Sequence, residues 1–198
     1  SLKNLNRNCV DTLLLHKSSD LLNEDGSELN LLIKQLKEQR TIKNFGISVY
    51  ETEELSRAIK IVTCDVIQLP FNIIDRRFLE EGWFDKLVQM GIKIEVRSVF
   101  LQGLLLMQPN TLPRSLNKWQ YIWTKFEKWQ RANNNCSALS ACLGFVTSFP
   151  QVDSFVIGAQ NRKQLAEIIL GLEGKRSLKF PNLACDDVNL ILPQNWSL

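Results

Sequence analysis

The chain holds one histidine, two methionines, two tyrosines and nine glycines in 198 residues, and each scarcity removes an option. One histidine and an odd five cysteines with no Cys-x-x-Cys pair cannot build a Cys/His zinc cluster, so no metal is expected. Cys9, Cys64, Cys136, Cys142 and Cys185 read instead as small hydrophobes of a reducing cytoplasm. No apolar run approaches the roughly 20 residues that cross a bilayer, and no basic-then-apolar signal opens the chain. A dense basic field is missing too. With 24 Lys+Arg against 21 Asp+Glu, the formal charge of +3 is too even for a nucleic-acid binder. The densest basic cluster, Gly174 to Lys179, reads as a solvated loop. We therefore expect a cytoplasmic protein without membrane or nucleic-acid partners. The first residue is Ser rather than Met, which leads us to expect sequence upstream of it.

What is present is a rhythm. Hydrophobic residues make up 44% of the chain, enough for one core and one domain over residues 1–198. Short apolar strands alternate with amphipathic helical patterns. Strands are expected at Val10 to His16, Ile42 to Ser48, Asp65 to Phe71, Ile92 to Phe100 and Val152 to Gly158. Helical spacing follows each. Thr52 is a candidate N-cap, Asp75 to Met90 reads as one helix stopped by Gly91, and the last helix runs from a cap at Asn161 to a stop at Gly171. The stretch after Phe100 holds two helices, one with Leu116, Trp119, Trp123 and Phe126 on a single core-facing stripe. Strict alternation predicts a parallel α/β sheet, either doubly wound or closed into a barrel. No Gly-rich phosphate fingerprint follows the first strand, which favours the barrel. A TIM-type (β/α)8 barrel needs eight units, and the chain supplies five, as the C-terminal part of one would.

In such folds chemistry gathers on the loops beyond the strand ends. His16 lies there, and imidazole donates or polarises near neutral pH. Ser48, Gln68, Asn72 and Ser98 recur at the same level among apolar neighbours, as the wall of a polar-ligand pocket would. Gly158, Ala159 and Gln160 lead into a helix whose first turn carries Arg162 and Lys163. Cations there oppose the helix dipole, which makes more sense with an anion nearby.

"DTLLLHK", "NFGIS", "DVIQLPFN", "VRSVFLQGLLL" and "FVIGAQNRKQLAEII" stand in the order and near the spacing of the aldo-keto reductase family, which the chain resembles from Val10 to the terminal "LPQNWS". The resemblance implies NAD(P)H-dependent reduction of a small aldehyde or ketone, with NADPH as cofactor and NADH as the alternative. It makes His16 the active-site histidine that orients the substrate carbonyl; Asn72, from the polar wall, is expected on the substrate side. Gln68 would bond the nicotinamide carboxamide, and Ser48 would take the cofactor-side position before the residue that contacts it, with Val49 where the family often has Asn. Arg97 and Ser98 stand where Tyr-Ser is common, so a guanidinium plane would replace the ring that stacks on nicotinamide. Ser98, Phe100 and Gln102 would follow the pyrophosphate. Gly158, Ala159, Gln160 and Arg162 would meet the adenosine phosphate, and Gln164 and Glu167 the adenosine. The family's catalytic Asp, Tyr and Lys would precede Ser1. A non-catalytic dinucleotide-binding or regulatory module, or an inactive fragment, is the alternative.

Overall fold

Five parallel strands form one sheet in chain order: β1 (Val10–Leu15), β2 (Ile42–Ser48), β3 (Val66–Pro70), β4 (Lys93–Arg97) and β5 (Val152–Phe155). The computed structural model describes residues 2–16, 18–21, 26–173 and 178–196. Most of the basic cluster expected as a loop, 174–177, lies outside the described residues. The helices are α1 (Leu2–Leu5), α2 (Ser27–Glu38), α3 (Thr52–Ile61), α4 (Arg77–Glu80), α5 (Trp83–Gln89), α6 (Gln120–Ala132), α7 (Ala138–Thr147), α8 (Arg162–Glu173) and α9 (Val188–Ile191). The strand–helix alternation expected from periodicity is the observed one. Among the described residues no helix is long and apolar enough to cross a membrane.

The chain divides into two compact units: Ser1–Leu69 with Phe78–Glu95, and Pro70–Arg77 with Val96–Leu198. In the first, Ile33 of α2, Leu55 and Ala58 of α3, and Phe45, Ile47, Ile67 and Leu69 of the strands are buried. Apolar β-branched residues suit these strands because both faces of a parallel sheet are covered. Polar ties lock the helices to the strands. Asp65 Oδ2 accepts the Phe45 N–H at 2.7 Å and pairs with Lys37 Nζ at 2.6 Å. Gly46 of β2 lies between Leu14 of β1 and Val66 of β3. A Cβ there would lie 2.5 Å from the Val66 carbonyl oxygen and 2.7 Å from Leu14 Cδ2.

The second unit is built on aromatics. Phe71 packs on Phe145 and Phe149 at centroid distances of 5.2 and 5.1 Å, and Phe180 meets Phe145 edge-on at 5.4 Å. Leu116, Trp119, Trp123 and Phe126 are all buried, and the Trp123 indole donates to the Leu104 carbonyl at 2.9 Å. The stripe is core.

Several boundaries differ from the pattern, each for a local reason. The fourth strand stops at Arg97, because Ser98, Leu101, Gln102 and Gly103 all take positive φ. The fifth stops at Phe155, so Gly158 lies beyond it. The helix expected over 75–90 breaks at Gly82 (φ 75°), while Gly91 (φ 71°) does end it. Thr52 is the first helical residue rather than the cap, and its hydroxyl donates to Glu81. Glu51 caps α3, with the Glu54 carboxylate accepting the Tyr50 and Glu51 N–H groups. Gly171 does not end α8; it lets the helix press on α7, where a Cβ would meet Leu139 Cδ2 at 2.6 Å.

Gly46→Ala should lower stability to urea by about 2 kcal/mol, because backbone must move to admit the methyl group. An unchanged midpoint would contradict the close approach. Burial pushes the Cys64 thiol up to about 11 and raises that of Cys142 as well. Since the thiolate is the reactive form, iodoacetamide at pH 8 should spare both in the folded protein and label both in urea, as read by peptide mass.

Candidate functional site

Strand register assembles the first part of the site. Leu15 pairs with Ile47 and Ser48 with Gln68, so His16, one residue past the end of β1, stands level with Ser48 and Gln68. Three residues from three segments thus form a row at the C-terminal ends of neighbouring strands. His16 is exposed, Ser48 is buried and Gln68 is half-buried. The Ser48 hydroxyl donates to Gln68 Oε1 at 2.8 Å. Gln68 Nε2 donates to Glu95 Oε1, also at 2.8 Å. Glu54 braces the loops beside this row, accepting the Ser18 hydroxyl on one oxygen and the Tyr50 N–H on the other at 2.6 Å. A buried carboxylate or amide at a strand end is costly unless bonded, and all of these are.

The second unit holds the other expected residues in two groups. Asn72, 1% exposed, spends its amide inside the loop after β3. Its Oδ1 accepts the Ile74 and Asp75 N–H groups at 2.9 Å, and its Nδ2 donates to the Ser98 carbonyl at 3.0 Å. Asp75 is equally buried and receives Arg77 through Nε and Nη2, both at 3.0 Å. Arg97 Nη1 donates to Ser98 Oγ at 3.4 Å. Phe100 is half-buried and Gln102 exposed, on the turn where Ser98 (φ 60°), Leu101 (φ 45°) and Gln102 (φ 53°) are left-handed without being glycine. Such conformations each cost on the order of 1 kcal/mol and persist only where the surroundings impose them.

The last group lies at the start of α8. Asn161 Oδ1 accepts the Gln164 N–H at 3.0 Å, which makes it the cap expected from sequence. Gln164 Oε1 turns back to accept the Gln160 N–H at 2.7 Å. Gly158, Ala159, Gln160 and Arg162 are exposed, and Lys163 and Glu167 face each other at 4.0 Å in solvent. The structure therefore brings together His16, Ser48 and Gln68, joins Asn72 and Arg97 to Ser98, and groups Gly158 to Glu167 at one helix start.

Three residues with structural work here escaped the sequence reading: Glu54, Asp75 and Glu95. The signal for Glu95 was available. In "IKIEVRS" it interrupts the buried Ile92, Ile94 and Val96 and shares a strand face with Arg97.

The model of the aldo/keto reductase family matches residues 1–176. The chain belongs to that family. An uncharacterised oxidoreductase from Bacillus subtilis is 24% identical over 184 residues, covering 89% of this chain and 59% of that protein. The apo form of an aldo-keto reductase from Bacillus halodurans matches with a TM-score of 0.74 at 21% identity, over 92% of this chain and 62% of that one. Its holo form matches with a TM-score of 0.70 at 22% identity, over 87% and 58%. The chain thus spans about three-fifths of the length of the relatives it matches. The likeness shows the fold: the parallel α/β arrangement of this family's (β/α)8 barrel.

Asn72→Ala strands the Ile74 and Asp75 N–H groups in a buried loop, while the Ser98 carbonyl keeps the Leu101 N–H. It should cost about 2–3 kcal/mol by urea denaturation, several times the cost of an exposed Asn→Ala change such as Asn110.

Proposed function

We propose that this chain forms part of an NAD(P)H-dependent oxidoreductase that reduces an aldehyde or ketone. The observation that carries the reading is the in-register row of His16, Ser48 and Gln68 at the C-terminal ends of β1, β2 and β3. In parallel α/β folds that edge is where ligands bind. An imidazole beside a hydroxyl and an amide suits a polar carbonyl compound together with a primary carboxamide. The donor set fits a nicotinamide cofactor, and when bound that group supplies the hydride.

The chain's own residues then bind and orient. His16 donates a hydrogen bond to the substrate carbonyl oxygen, polarising it while a proton is delivered there. The family resemblance gives the donation of that proton to a tyrosine. Gln68 bonds the nicotinamide carboxamide, with Ser48 bonded to Gln68 behind it. The guanidinium of Arg97 offers a flat face to the nicotinamide ring. Ser98, Phe100 and Gln102 serve the pyrophosphate, and Asn72 supports the substrate side by holding the Ser98 carbonyl. At the start of α8, Gly158, Ala159, Gln160 and Arg162 serve the adenosine phosphate, with Gln164 and Glu167 beside the adenosine. The exposed Arg162 charge favours NADPH over NADH, since only NADPH carries the extra phosphate.

Titration with NADPH and NADH, followed by quenching of tryptophan fluorescence, tests the binding half. NADPH is expected to bind the more tightly, and an absence of binding by either cofactor would sink the reading. Turnover is measured on the polypeptide that includes the tyrosine, with simple aldehydes. There His16→Ala should lower kcat about 100-fold and leave the NADPH Kd unchanged.

A further inference from the structure

Resting on that reading, we infer that Glu95 is a positioning residue that sets which way the Gln68 amide faces, and through it how a nicotinamide carboxamide is held. The relay Ser48 Oγ to Gln68 Oε1, then Gln68 Nε2 to Glu95 Oε1, has a direction. A glutamine amide is nearly symmetric in shape, and its two ends can exchange by a half-turn. A serine hydroxyl can either donate or accept, so Ser48 does not choose between them. An ionised carboxylate can only accept. Glu95 therefore requires the NH2 end of Gln68 on its side, and the oxygen falls to Ser48.

Sheet order supports this division. Ser48 on β2 and Glu95 on β4 stand on opposite sides of β3, so each claims one end of the amide. Counting what is left shows what the arrangement presents. Gln68 Oε1 has two lone pairs and spends one on Ser48; Nε2 has two hydrogens and spends one on Glu95. Among the described residues no other side chain bonds this amide. One acceptor and one donor remain on one half-buried group. That is the complement of a primary carboxamide, which offers one N–H donor edge and one carbonyl acceptor. With the wrong orientation the same two positions exchange donor for acceptor, and both contacts turn repulsive.

Glu95→Gln keeps size and shape but removes the direction, because the new amide bonds either end of Gln68. The Kd of NADPH should then rise roughly tenfold, the equivalent of one directed hydrogen bond. ADP-ribose 2′-phosphate, which lacks the nicotinamide, should bind Glu95→Gln as it binds the wild type. In a Gln68→Ala background, Glu95→Gln should have no further effect on NADPH. Glu95→Asp, which keeps an acceptor-only group, should recover part of the loss. A tenfold loss shared by ADP-ribose 2′-phosphate means a general structural role and overturns the inference. So does an unchanged NADPH Kd in Glu95→Gln, and so does a loss that persists without Gln68. In those three cases the oxidoreductase reading stands. Failure of the wild type to bind NADPH or NADH overturns both.

Discussion

Parallel register between β1, β2 and β3 is the constraint on which the first unit depends. Pairing Leu15 with Ile47 and Ser48 with Gln68 sends Ile47 and Ile67 into the core and leaves the polar residues at the strand ends. A slip of one residue would exchange faces along a whole strand, turning Ile47 and Ile67 out of the core and breaking the Ser48–Gln68 pairing. Gly46 holds this register by close approach, since its missing side chain is what lets the Val66 carbonyl and Leu14 come so near.

Register alone would leave polar groups stranded among apolar ones. Desolvation demands that each find a partner, and the partners come from the next strand over. Ser48 is satisfied by Gln68 and Gln68 by Glu95, so each group that a neighbouring strand must accommodate is itself held in place. Such chains of hydrogen bonds restrict rotamers more than they add stability, because folding trades water for protein partners at little net gain. What they contribute here is orientation. A site that must recognise a small polar group gains from having its donors and acceptors set before the ligand arrives.

The second unit meets the same demand differently. The segment after residue 177 has no regular secondary structure up to α9, so its backbone carbonyls need side-chain donors. Trp129, Arg76 and Lys125 supply them to Lys179, Pro181 and Asn182. Phe180, tilted against Trp129 and edge-on to Phe145, adds the apolar component. Side chains from an early loop and from α6 thereby hold a late, irregular stretch, while Asn72 and Asp75 shape the loop that carries Arg76. The left-handed residues after β4 are tolerated within the same unit, where Leu101, Leu104 and Leu105 are buried beside them.

Periodicity disclosed the order and type of the elements, because apolar spacing is a local property that reports which face is buried. The five strands, the core stripe of Leu116 to Phe126 and the Asn161 cap were all legible for that reason. The row of His16, Ser48 and Gln68 could be suspected from strand ends alone. The partners could not. Gln68 finds Ser48 20 positions back and Glu95 27 positions ahead, and nothing within a window around any of the three states the pairing. Strand ends at Arg97 and Phe155, the break at Gly82 and the packing role of Gly171 were equally out of reach. Gly171 depends on what α7 places opposite it, and the break at Gly82 and the stop after Arg97 on backbone turns that apolar spacing does not report. Residue pattern settles which surface a segment must bury, since that depends on its own side chains. Hydrogen-bond direction and close approach answer to neighbours distant in the chain, so only the folded register decides them.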